Sequence, residues 1–363
     1  MPKSPLIPLF ALAALTACKG SDSELTDETF ETSDCSSATG SEAIVCAADN
    51  FLATLDDSEL EVVGYSFDDS ESKTLWSNLP LGAAGRTGLA RGEMSDESLA
   101  AMDAFAAVLL SDEGYEDYIG ILASDDYLQE IGGGSNYASA EGIIAIYGVP
   151  ATTGSWMVQL GNHHMAYNVT FVDGVGYPTP NHIAAEPKSA FDLDGVTYAP
   201  VVEEGEAFVA LTDSLSSTQL STAKLSSTFG DVLLGPVEYG TGSLSAVSYP
   251  SGSSRSGLLA SELDSDQLAL FNAVLEQWVT DFNGEAISDA LMEAYTSEEA
   301  LADTYIAWAG SGSPDVDSSN TYFRIDGPRV WIELSCQSGV IVRDVTHYHS
   351  MYRDKELDYG AEL

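Results

Sequence analysis

Arg86-Thr87-Gly88-Leu89, followed by Leu99-Ala100 and Ala104, returns without a gap as Arg255-Ser256-Gly257-Leu258, followed by Leu268-Ala269 and Ala273. The offset, from 86 to 255, is 169 residues. Further on, Ile144-Ala145-Ile146-Tyr147-Gly148 resembles Ile306-Ala307-Trp308-Ala309-Gly310, and Trp156 with Gly161 matches Tyr322 with Gly327 at a common offset of 166. Self-similarity over this length reports architecture. In each copy an Asp/Ser-rich cap (Ser95-Asp96-Glu97; Asp264-Ser265-Asp266) precedes a helix, more helix follows, and a strand pair closes the unit. The expected fold is therefore α+β: two pseudo-repeated helix-then-strand-pair halves, about 76–187 and 246–363, sharing a central, mainly antiparallel sheet with helices packed outside.

Such a sheet brings together two distant regions that hold all five histidines. Trp156 to Pro187 contains His163, His164 and His182; a second strand-like segment contains His347 and His349. If Val345 to Met351 is a strand, its period of two puts His347 and His349 on one face with Tyr348 opposite, a two-tooth chelate for a transition metal. Alternation within His163 to Phe171 sets His164 beside Ala166, Asn168 and Thr170, and His163 beside larger residues, so one of the pair faces the site unless a bulge turns the backbone. The expected ligands are His164, His347 and His349, with His163 as a core histidine or further ligand and His182 as a loop residue. Glu333, opposite the apolar face of Val330, Ile332 and Leu334, and Glu186 are the candidate general bases or carboxylate ligands beside a metal-bound water. Glu333 also has ordinary ion-pair partners in Arg324 or Arg343.

The N-terminus reads as an export signal. Pro2-Lys3, the apolar run Leu6 to Leu15 and then Leu15-Thr16-Ala17-Cys18 form a short signal (1–17) closed by a lipobox, with Cys18 as the lipidated first residue of the mature chain. Lys19 stands where an aspartate would resemble an inner-membrane retention signal, which points to the outer membrane, on its periplasmic or surface face. Residues 18–42, rich in Ser, Thr, Asp and Glu, read as a flexible acidic tether, and 43–363 as one globular domain. Within it Ala43 to Leu55 reads as a first helix and Leu60 to Phe67 as a strand.

A formal charge of −44 over 363 residues excludes nucleic acid and anionic membrane surfaces as partners, because both demand clustered Lys and Arg. The membrane partnership expected is the lipid anchor alone. Of the four cysteines, Cys35 and Cys46 form the expected disulfide of an exported chain, and Cys336, after the strand pattern Val330 to Leu334, is a buried thiol. Five of the 13 basic residues lie between 324 and 355; Arg324, Arg329 and Arg343 are candidates for an anionic ligand group, or pair with neighbouring aspartates. The sequence contains no nucleophile elbow, phosphate loop, paired-cysteine zinc motif or haem-attachment motif.

Leu75-Trp76-Ser77-Asn78-Leu79-Pro80, Arg86-Thr87-Gly88-Leu89, Tyr147-Gly148-Val149-Pro150, Trp156, Gly161 with His163-His164 and Ala185-Glu186-Pro187 resemble the domain-of-unknown-function 3500 family. So do Tyr322-Phe323-Arg324-Ile325, Gly327-Pro328, Ile332-Glu333, His347-Tyr348-His349, Arg353-Asp354 and Asp358-Tyr359-Gly360, which extends the resemblance in order over roughly residues 60 to 363. This chain departs from the pattern at Asn162, inserted before the histidine pair, and at Ala184-Ala185, where a glycine is usual. The resemblance implies a secreted or lipid-anchored domain and supplies no activity. Three function classes stand at this point: a metal-dependent hydrolase holding one transition-metal ion, zinc foremost; a non-catalytic lipoprotein that binds a metal or small anionic ligand; and a structural envelope protein whose histidines are core hydrogen-bonders.

Overall fold

Period-two patterning decides how the strands share their faces, and helix caps decide where the helices begin. The computed structural model describes residues 23–80, 86–235 and 248–362; the expected signal, the expected lipidation site Cys18, Lys19 and positions 246–247 of the second repeat lie outside the described residues. The chain runs through α1 (Ser41–Leu52), α2 (Asp57–Val63), β1 (Gly64–Tyr65), the single turn α3 (Ser70–Lys73), β2 (Leu89–Ala90), α4 (Asp96–Leu109) and α5 (Asp112–Leu128). Strands β3 (Ile143–Tyr147), β4 (Ser155–Asn162), β5 (Met165–Val172), β6 (Val175–Tyr177) and β7 (His182–Ala185) follow. A small hairpin, β8 (Phe191–Leu193) and β9 (Val196–Tyr198), leads into α6 (Val202–Ser214) and α7 (Ser217–Ala223). Then come β10 (Leu258–Leu259), α8 (Ser265–Val279), α9 (Glu285–Thr296), α10 (Glu298–Leu301), β11 (Tyr305–Ala309), β12 (Tyr322–Asp326), β13 (Val330–Ser338) and β14 (Thr346–Asp354). The expected caps are in place: Ser95 accepts from Ser98 N, and Asp264 forms a capping box with Gln267.

Twelve strands make one sheet in the order β1-β3-β4-β5-β7-β14-β13-β12-β11-β10, with β2 on β3 and β6 on β5. Every pairing in it except β1 with β3 is antiparallel. The protein is thus a mixed α/β fold with a large, mainly antiparallel sheet and packed helices. Short β7 joins the two runs of strands: Ala184 lies opposite His349 on β14, and His182 opposite Ala166 on β5.

The two faces of this sheet are chemically different. One carries Ile144, Val158, Val169, Ile183, Phe323 and Leu334, all buried beneath helices, each contributing about 1.5–3 kcal/mol of burial. Phe208 of α6 stacks on Phe323 with centroids 4.9 Å apart, and Trp278 of α8 donates to Ser350 Oγ at 3.1 Å. The opposite face carries Gln159, Asn168, His182, Glu333, His347 and His349, and these too are buried. Irregular chain reaches onto it: Trp76 donates to Tyr359 Oη at 2.9 Å, and Leu233 and Leu234 reach Glu333. A buried polar face survives only if it is hydrogen-bonded; Gln159 donates to Asn168 Oδ1 and Asn168 to Pro180 O, both at 2.7 Å.

The N-terminal third departs from expectation in three places. The first helix spans Ser41–Leu52, and most of the segment read as the strand Leu60 to Phe67 is helix or turn, because Asp56 and Glu59 form a capping box that starts α2; only Gly64–Tyr65 is extended. Residues 23–27, expected within a solvated tether, dock on the domain: Leu25 is 0% exposed, Ser23 donates to Leu60 O at 3.2 Å, and both lie where a side chain on Gly64 would go. Cys35 and Cys46 are joined in a disulfide, and Cys336 is free and buried.

Candidate metal centre

Asn162 pairs with Met165 across β4 and β5, so His163 and His164 are the two residues of a hairpin turn rather than part of a strand. Strand alternation does not apply to them, which corrects the expectation that they point to opposite faces. His164 has φ +66°, a left-handed conformation that non-glycine residues hold only when their surroundings fix it and that clusters at functional sites. Its N–H donates to Asn78 O at 3.3 Å, and the two imidazoles stack with centroids 3.6 Å apart.

On β14 the alternation holds. His347 and His349 share one face, opposite Gln337 and Ser335, while Tyr348 packs into the apolar core. Ring centroids lie 5.0 Å apart for His347 and His349, 5.5 Å for His164 and His347, and 5.1 Å for His164 and His349. One nitrogen from each of these three histidines lies within 4.8 Å of the others. His164 Nε2 and His349 Nε2 are 3.3 Å apart. Nitrogens about 2.0–2.1 Å from a tetrahedral ion are themselves roughly 3.3 Å apart, so this pair already has ligand spacing. The three residues are 2%, 2% and 6% exposed. Burial first, then the neighbouring imidazoles, holds His164 well below its ordinary pKa and brings His347 down to about 3, which keeps their lone pairs free.

Second-layer contacts orient His349. Asp231 Oδ1 lies 2.8 Å from its Nδ1, with the amides of Gln337 at 2.8 Å and Asn78 at 3.2 Å. A carboxylate only accepts, so Nδ1 carries the proton and Nε2 presents its lone pair to the centre. Burial alone would raise Asp231, yet the His349 hydrogen bond and charge hold it below its ordinary value. Asp231→Ala is expected to weaken zinc binding by about 10–100-fold in a competition titration with a chelator; unchanged affinity would remove Asp231 from the site.

The candidate bases are placed differently from expectation. Glu333 shares the histidine face, but its carboxylate accepts from Tyr322 Oη at 2.6 Å, Trp331 Nε1 at 2.7 Å, Leu233 N at 2.7 Å and Leu234 N at 2.9 Å. Two of these donors belong to the sheet and two to the backbone of the segment that presents Asp231, so Glu333 ties that segment to the sheet, and neither Arg324 nor Arg343 pairs with it. Glu186 Oε1 is held by the N–H groups of Ile341 and Val342 at 2.6 and 2.8 Å. The Glu333 carboxylate is thus occupied by four donors, and Glu186 holds the Ile341–Val342 backbone through Oε1. The three arginines do not converge: Arg324 donates to Ser256 O and lies over Trp331, Arg329 pairs with Asp354, and Arg343 is an exposed turn residue.

His163 stands outside the three-nitrogen group; its Nδ1 lies 2.6 Å from Asp125 Oδ1. His182, expected in a loop, is a strand residue with 0% exposure, its ring 5.6 Å from His349 and both ring nitrogens without a partner among the described residues. His164 Nδ1, His347 Nδ1 and both side-chain polar atoms of Asn162 are likewise unpaired. All five histidines of the chain therefore form one continuous set of rings. Sequence reasoning missed His182, Asp231, Asn78 and Asp125; only the scarcity of histidine elsewhere in the chain pointed to the first.

A family model described as a protein of unknown function (DUF3500) matches residues 37–361. No curated protein and no solved structure matches the chain.

Proposed function

This chain belongs to the DUF3500 family, and we propose that its His164, His347 and His349 hold one transition-metal ion, with zinc foremost, in a protein tethered to the outer membrane through a lipid on Cys18. The observation that carries this reading is the approach of three imidazole nitrogens within 4.8 Å of one another on the buried polar face, two of them at ligand spacing. Three protein ligands leave a fourth position, which in such centres takes a water whose pKa falls to about 7. Hydrolysis is the chemistry that follows, with Asp231 fixing the His349 tautomer. The burial of the triad favours a second reading, retention of the ion by a binding lipoprotein. Cobalt titration of the metal-free protein tests the shared claim: one equivalent should bind with the absorption of a four-coordinate nitrogen-rich site, and the absence of saturable binding would sink both readings. A hydrolytic screen of the loaded protein then separates them.

We also infer that the two halves descend from one duplicated unit. In support, Gly88 (φ +121°) and Gly257 (φ +147°) take the same role: a side chain on either would strike the backbone carbonyl of Ile144 or of Ile306, next to Ala145 or Ala307. Each precedes a two-residue strand paired with the same position of β3 or β11. Gly88→Ala and Gly257→Ala should each destabilise by about 2 kcal/mol or more in chemical denaturation. A large loss at one position and none at the other would contradict equivalent roles.

A further inference from the structure

Arg86 and Arg255 open the two copies of the repeated motif, and their guanidinium groups are satisfied differently. Arg255 uses all three nitrogens: Nε lies 3.3 Å from Asp326 Oδ2, Nη1 lies 2.7 Å from Asp303 Oδ2, and Nη2 donates to Asp303 O at 2.6 Å and to Asp326 O at 2.7 Å. Arg86 donates from Nη2 alone, to Ser77 O at 3.1 Å and to Leu79 O. Its Nε and Nη1 are buried without a partner, and no ion pair reaches it among the described residues. Asp125 and Glu141 act on it only through space, and Asp125 Oδ1 is already engaged by His163 Nδ1 at 2.6 Å. Strand register identifies the missing partner. Leu259 lies opposite Tyr305 as Ala90 lies opposite Ile143, which makes β11 and β3 equivalent. Across the next pairing Tyr305 faces Asp326, whereas its counterpart Ile143 faces Gly161. The position that gives Arg255 a buried carboxylate therefore gives Arg86 none. Burial lowers Arg86 to about 10, which still leaves it charged at neutral pH. A buried guanidinium without an anion is strongly disfavoured, and its planar donors match carboxylate and phosphate oxygens.

We propose that Arg86 holds an anionic oxygen group of a small-molecule substrate, a carboxylate or a phosphate, in the slot beside Gly161 that Asp326 fills in the other half. The slot adjoins the histidine cluster. Gly161 stands two residues before His163, and the carbonyls that Arg86 holds flank Asn78, whose O accepts from His164 N at 3.3 Å and whose amide lies 3.2 Å from His349 Nδ1. Arg86 is itself partly exposed, so a ligand can reach it. That the molecule bearing the anion also meets the ion rests on the metal reading above; the slot itself does not.

Calorimetric titration of acetate and of inorganic phosphate into the metal-free and the zinc-loaded protein tests this. One equivalent of at least one probe should bind in both forms, the tighter probe giving the class of group. Arg86→Gln should weaken that binding by about 10–100-fold. Gly161→Asp keeps the test decisive if Arg86→Gln folds poorly: it places a carboxylate in the slot, and the nearest atom to its Cβ is the flexible tip of Ile143, at 3.1 Å. It should lose anion binding to the same degree and melt no earlier than the wild type, a combination that misfolding would not give. Binding to the metal-free protein that both substitutions remove would support the slot even if no ion binds. The absence of saturable binding to the wild type, or binding that both variants retain, would overturn it. So would binding that appears only with zinc and survives both substitutions, which would assign the anion to the ion alone.

Discussion

Glu333→Ala is expected to unfold the protein about 10 °C earlier than wild type in a calorimetric scan. The carboxylate is 0% exposed and accepts four hydrogen bonds, two from side chains of its own sheet and two from the backbone of the segment holding Asp231. Its removal leaves the Tyr322 and Trp331 donors and the Leu234 N–H buried without acceptors, and the half-exposed Leu233 N–H without its partner. Each buried donor left unsatisfied costs about 1–3 kcal/mol, and partial relaxation places the total near 3–5 kcal/mol. In a chain of this size each kcal/mol moves the midpoint by about 2–4 °C. Glu333→Gln should give most of the same loss, because it turns a donor toward donors. Arg353 holds the same segment through Leu234 O at 2.9 Å, so the loosened segment should also carry Asp231 away from His349 and weaken the metal centre. A shift below about 2 °C would mean that Glu333 does not anchor this face.

The His347→Ala/His349→Ala variant should lose metal-dependent stabilisation completely. A ligand present at about 100 times its Kd stabilises the native state by about 2.7 kcal/mol, so excess zinc should raise the wild-type midpoint by about 5 °C. With two of three ligands removed, the remaining His164 has no chelating partner and the shift should vanish. A zinc-induced shift of wild-type size in the double variant would place binding elsewhere, among the acidic surface groups.

How much of this was readable from the sequence depends on where periodicity operates. His347 and His349 share a face because β14 is a regular strand whose neighbours Tyr348 and Ser350 turn to the core. The same rule failed at His163-His164, where the chain makes its hairpin turn without a glycine in the left-handed position and His164 takes it instead. Glu333 was placed on the correct face by alternation with Ile332 and Leu334. Its role was not legible, because it depends on a segment 99–100 residues away in sequence. Asn78 and Asp231 lie in irregular chain with no repeating pattern, and only tertiary packing brings both to the same nitrogen of His349. The capping box that starts α2 uses Asp56 and Glu59, a spacing present in the sequence but not used in reading Leu60 to Phe67 as a strand. The large antiparallel sheet followed from the repeated strand pairs, whereas the histidine-bearing strand β7 that joins its two runs has only four residues between two prolines, too short to announce itself.

The central claim is that the three histidine nitrogens hold one metal ion. Its most direct test is the metal content, by mass spectrometry, of residues 19–363, purified without a histidine tag. The account predicts close to one transition-metal ion per chain, absent from the still-folded His347→Ala/His349→Ala variant. A wild type that is free of metal, and stays so after incubation with zinc, copper, manganese or iron, would contradict it.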